Sequence, residues 1–113
     1  MTASRTHLPH DWYAGGIPEN VHFEDDVYVD SSYAFARFIS AEQDALHLGR
    51  GCGAYDRATF VVGPRGRVSV GSFTCLNGVY LVCHQRIRIG RHCLFAWGSV
   101  VTDTWLGPDS TVE

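Results

Sequence analysis

The chain has 113 residues, enough for one modest domain, and its 45% hydrophobic and 19% charged composition is that of a folded protein, not a low-complexity one. Nine basic residues, all Arg, against twelve acidic ones leave a net charge of −3, which argues against a nucleic-acid partner. No stretch approaches the roughly 18 apolar residues of a membrane span, and Met1–His7 leads into no apolar signal run, so the expected location is cytoplasmic.

Residues 1–16 carry His7, His10, Asp11, Trp12 and Tyr13 without periodicity and read as a flexible lead-in, with Trp12 and Tyr13 capping the start of the periodic segment. From Ile17 an apolar residue returns every sixth position: Ile17, Phe23, Val29, Phe35, Ala41. A longer repeat lies over this one. The tetrapeptides Val27–Asp30, Leu46–Gly49, Val68–Gly71 and Ile87–Gly90 are spaced by 19, 22 and 19 residues, and a period near 20 is the mark of a solenoid.

Aligned on the tetrapeptides, the chain predicts three apolar columns: Val29, Leu48, Val70, Ile89; then Phe35, Ala54, Leu76, Phe95; then Ala41, Phe60, Val82, Val101. A mostly small column, Tyr33, Cys52, Thr74 and Cys93, with Ala58 and Ser99 later, fits beneath tight bends. The pattern fails the i, i+3, i+4, i+7 test for a helix, whereas Leu46-x-Leu48, Val68-x-Val70 and Ile87-x-Ile89 alternate as short strands do. Three hexads make one coil, and the surplus of the 22-residue step falls in the turn-rich Val62–Arg67. The fold expected is all-β, a single-stranded parallel β-helix of four to five triangular coils over residues 17–106, with 107–113 a truncated tail.

The four cysteines, Cys52, Cys75, Cys83 and Cys93, lack Cys-x-x-Cys spacing and read as small buried hydrophobes. The histidines offer no trio spaced for zinc, so no metal is expected. Gly49–Gly53 and Gly63–Arg67 lack the Gly-Lys-Ser/Thr ending of a phosphate loop and read as corner glycines, with Arg65 and Arg67 on a solvated loop. His47 and His92 fall beside inward columns and should face outward. His84 falls where a strand gives way to a corner, one coil below Asp103, so a carboxylate could orient the imidazole there. Trp97 aligns with Gly78 and Asp56 at another corner and should point outward into an interface.

Val70–Gly78, Leu81–Ile87 and, above all, Ile89–Thr104, with its Ile-Gly-x-x-Cys-x-x-Ala-Trp-Gly-x-x-Val-x-Asp-Thr pattern, resemble the hexapeptide-repeat acyltransferases of the sugar O-acetyltransferase and maltose-acetyltransferase-like branch. The resemblance implies a left-handed coil and a homotrimer with acetyl-CoA as co-substrate between subunits. It also implies a small-molecule, sugar-type acceptor whose hydroxyl or amine is deprotonated by a histidine, an imidazole being suited to that task near neutral pH. On this reading His84 is the catalytic candidate, Asp103, Trp105 and Asn77 border the substrate, and Trp97 lies in the subunit interface. In the family the base commonly follows an Asp-Thr-Asp-x-His segment, whereas here Asp103-Thr104 runs into Trp105-Leu106-Gly107-Pro108. The alternative is therefore a noncatalytic β-helix that trimerises or binds a partner.

Overall fold

The computed structural model describes residues 8–13 and 15–103. The chain winds into a parallel β-solenoid of four coils. Eleven strands build it: β1 (Val21–Phe23), β2 (Tyr28–Val29), β3 (Leu46–Leu48), β4 (Gly53–Tyr55), β5 (Thr59–Val62), β6 (Arg67–Val70), β7 (Cys75–Asn77), β8 (Tyr80–Cys83), β9 (Arg86–Ile89), β10 (Leu94–Phe95) and β11 (Val100–Thr102). They form three parallel faces, β1-β3-β6-β9, β2-β4-β7-β10 and β5-β8-β11. Each coil contributes one strand to each face; in the first coil the third face is supplied by a 3-10 turn, Ser32–Phe35, and by Phe38, which bridges to Val62.

Strands this short persist because each buries its alternate side chains on the axis and takes its backbone partners from the coils above and below. The axial column of the first face is Phe23, Leu48, Val70, Ile89, and that of the second is Val29, Ala54, Leu76, Phe95. On the third face Phe60 lies under Leu81 and Leu81 under Val101, and Phe35 stacks on Phe60 at 5.6 Å with the rings 9° from parallel.

The sequence expectation is corrected in two places. The first coil is registered one hexad earlier: Phe23, not Val29, lies under Leu48, and Phe35, not Ala41, underlies Phe60, with Ala41 exposed. The step from Phe23 to Leu48 is 25 residues because the 3-10 turn and the loop after it lengthen this coil. On the third face the inward residue of β8 is Leu81, fully buried, and not Val82, because the corner through Gly78 is one residue shorter than the Asp56-Arg57 corner beneath it. Tyr33 accordingly leaves the small column for the 3-10 turn, while Cys52 and Thr74 stay in it, buried.

Two corners turn through left-handed residues. The first uses Asp26, Gly51, Phe73 and His92, one above another, linked by Gly51 N–H to Asp25 O, Phe73 N–H to Arg50 O and His92 N–H to Ser72 O. The second uses Asp56 and Arg57, then Gly78, then Gly98. The third corner carries the surplus chain, a long loop after Phe38 and the Gly63–Gly66 turn, and then shortens to His84-Gln85.

The described part of the lead-in is held on the first coil. The Asp11 carboxylate accepts from Ser31 Oγ (2.7 Å), from Ser32 Oγ and N–H, and from Tyr13 N–H (3.0 Å), while His10 Nε2 meets Val29 O at 3.1 Å. Burial pushes the Asp11 carboxyl up, but the hydrogen bonds from Ser32 and Ser31 and the two backbone N–H groups outweigh it and hold it at about 2 against an ordinary 3.8. A depressed carboxyl stabilises the fold above its unfolded pKa, and that stabilisation is lost as pH falls through the folded value. The expected result is that Trp12 fluorescence stays native from neutral pH to about 4 and changes as pH falls towards 2. Asp11→Asn should show the altered signal at neutral pH; an unaltered signal in the variant would remove Asp11 as the lock.

Candidate functional site

The first face points one row of side chains at solvent, and the register sets their order: His22 beside His47, His47 beside Ser69, Ser69 beside Arg88. A second row places Arg67 directly beside Arg86. With Gln43 and Asp44 from the third-corner loop, His47, Ser69, Arg88, Arg67 and Arg86 line a groove of about 500 Å³. His47 Nε2 lies 2.6 Å from Glu24 Oε2, and His22 Nε2 lies 2.8 Å from Asp44 Oδ1. Arg67 pairs with Glu42 at 3.1 Å. The guanidiniums of Arg86 and Arg88 form no ion pair among the described residues.

This groove can do simple chemistry. If Nε2–H of neutral His47 donates to Glu24, Nδ1 is left as the basic nitrogen, and the carboxylate stabilises the imidazolium once a proton is taken. The corrected register explains why the sequence alone does not reveal this pair. With Val29 placed under Leu48, Glu24 falls opposite Gln43, away from His47; with Phe23 there, Glu24 comes opposite Gly49, next to His47. The residue types carry the signal, but only the register brings them together.

The sequence-predicted residues are placed elsewhere. Asp103 lies over Cys83 at the third corner, one residue from the alignment with His84, and its carboxylate addresses mainly backbone. Oδ1 accepts from His84 N–H (2.9 Å), and Oδ2 accepts from Gln85 N–H (2.7 Å) and Arg86 N–H (2.9 Å). Burial raises the Asp103 carboxyl, and these three N–H groups together with the Cys83 thiol hold it below its ordinary value. The carboxylate thus closes a turn, and the exposed His84 imidazole lies over Gly63.

Trp97 stands over Gly78, its Cδ1 3.0 Å from where a Cβ would be, and its Nε1 donates to the Asp56 carboxylate one coil further down. It is 66% exposed, beside Leu94 and Val100 on the same coil, so the outward orientation holds. Asn77, on β7, accepts from the Cys75 thiol at 3.5 Å. Trp105 lies outside the described residues. All four cysteines are free, Cys52 and Cys83 buried and the others half-buried. Among the described residues no group of three or more His, Cys, Asp or Glu side chains is placed to hold a metal ion, and no helix is long and apolar enough to cross a membrane.

These features define a parallel β-solenoid with a histidine–carboxylate pair and an arginine wall on one face. Comparison with known proteins gives no matching family model, no matching curated protein and no matching solved structure.

Proposed function

We propose that the chain is an acyl-CoA-dependent acetyltransferase, or the solenoid portion of one, acting on a hydroxyl or amine of a sugar-type acceptor. The observation that carries this reading is the His47–Glu24 pair on a groove-forming face of a parallel β-solenoid. The resemblance of Ile89–Thr104 to the acyltransferase coil supports it. In the proposed step His47 takes the acceptor's proton as the acceptor oxygen or nitrogen attacks the thioester carbonyl. The carbon–sulfur bond then breaks, and the leaving thiolate receives that proton. A homotrimer belongs to this reading, with the exposed Leu94, Trp97 and Val100 available for subunit contact.

The test is thiol release from acetyl-CoA in the presence of sugar and aminosugar acceptors. His47→Ala should lower turnover by about 10²–10⁴-fold, and Glu24→Gln should lower it less and shift its pH profile. His84→Ala should leave the rate unchanged. Equal loss in His84→Ala would move the base to the third corner.

The second reading, a noncatalytic trimerising or binding module, is favoured by one observation: Asp103 is committed to three backbone N–H groups and leaves the His84 imidazole without a carboxylate among the described residues. No thiol release with any acceptor, and no heat on titration with acetyl-CoA, would leave that reading standing.

A further inference from the structure

We infer that the arginine wall of the first face is a binding site for a phosphoryl group, formed by Arg67, Arg86 and Arg88 with Ser69 and His47 at its edge. The register makes this arrangement costly unless an anion is present. Arg67 and Arg86 are direct partners on adjacent strands, and Ser69 and Arg88 are partners in the next outward position. Strands pair at about 4.8 Å, so three guanidiniums project from neighbouring positions of one flat surface, and like charges side by side repel. A chain of net charge −3 could easily neutralise them, yet the acids nearby are engaged otherwise. Glu42 pairs with Arg67, Asp44 with His22, Glu24 with His47, and Asp103 with the backbone N–H groups of His84, Gln85 and Arg86 rather than with a guanidinium. One guanidinium of three is compensated, and the two that are not both line the groove.

The chemistry that fits is a phosphomonoester or diphosphate. A guanidinium offers planar, paired N–H donors matched to phosphate oxygens, and a serine hydroxyl supplies a further donor, as does Nδ1–H of His47 when the imidazole is protonated. A neutral sugar would leave the two charges uncompensated. The phosphoryl group could come from the nucleotide part of a coenzyme or from a phosphorylated sugar. The acyl-transfer reading bears only on which of these it is; anion binding is measured without turnover and stands apart from it.

The test is titration of the full chain with pyrophosphate, followed by the arginine Nε–Hε resonances and by calorimetry. Saturable shifts confined to Arg67, Arg86 and Arg88 are expected, with affinity falling as salt rises. The double variant Arg86→Gln/Arg88→Gln should bind at least tenfold more weakly, and its unfolding midpoint without ligand should be unchanged or raised, because repulsion has been removed. Arg50→Gln, on the first corner beside Asp26, should bind as the parent does. Parallel titrations with glucose 1-phosphate and with adenosine 3′,5′-bisphosphate distinguish the two sources through the same arginines. Absence of saturable shifts, equal affinity in the double variant, or equal weakening by Arg50→Gln would overturn the assignment.

Discussion

Phe60→Ala should destabilise the solenoid by about 3–5 kcal/mol in denaturant unfolding, the range for deleting a fully buried aromatic side chain. Phe60 is 1% exposed and sits where two coils meet: it stacks on Phe35 below and lies in register with Leu81 above. Leu81 is held by its ladder to β5 and β11 and Phe35 by the capped 3-10 turn, so neither can close the space and a cavity would remain. Phe95→Ala is the contrast. Phe95 belongs to the second axial column but is only half-buried in the last described coil, so its loss should cost about 1–2 kcal/mol. Equal losses at the two positions would show that axial burial does not grade along the stack in this way.

Gly71→Ala should be the most damaging small substitution, at about 2–3 kcal/mol. A Cβ at Gly71 would lie 2.6 Å from Gly90 C and 2.7 Å from Arg91 N, which are backbone atoms of the next coil. No rotamer relieves such a contact. The coils would have to part at this corner, weakening the Gly71 N–H to Ile89 O bond of 2.8 Å. Gly49 faces the same constraint from Ser72 N at 2.7 Å, whereas nothing lies within 4 Å of a Cβ at Gly90. Gly90→Ala should therefore change stability by less than about 0.5 kcal/mol, and a Gly71→Ala loss no larger than that would refute the steric account.

The period near 20, the short strands and most of the axial columns are legible in the sequence, because axial packing repeats apolar residues at positions that can be counted. Leu48, Val70 and Ile89 stack as the count requires, and so do Ala54, Leu76 and Phe95. The failures come where two registers look alike. Val21-His22-Phe23-Glu24 and Val27-Tyr28-Val29-Asp30 carry the same alternation, and the choice between them is made by chain length at the third corner and by a 3-10 turn that Ser31 caps by accepting from Tyr33 N–H. Neither feature has a periodic signal. The Leu81-for-Val82 exchange has the same origin, since a corner closed by one left-handed residue at Gly78 needs one residue fewer than the Asp56-Arg57 corner. The candidate site is less legible than the fold. Its members come from four coils and meet only through inter-coil register, so an error of one hexad in the first coil hides Glu24 from His47.

The third corner, where the surplus residues collect, also supplies Gln43 and Asp44 to the wall of the groove. The pairing of the coils above runs through β3–β6 and β5–β8, which this loop does not enter. The wall of the groove and the axial packing thus come from separate stretches of chain. The first part of the loop is tied to the next coil by Ile39 N–H to Val62 O, Ala41 N–H to Pro64 O and Ser40 Oγ to Gly66 O, so it is exchange at the exposed Gln43 and Asp44 that can reshape the wall while the floor presenting His47, Ser69 and Arg88 stays in place.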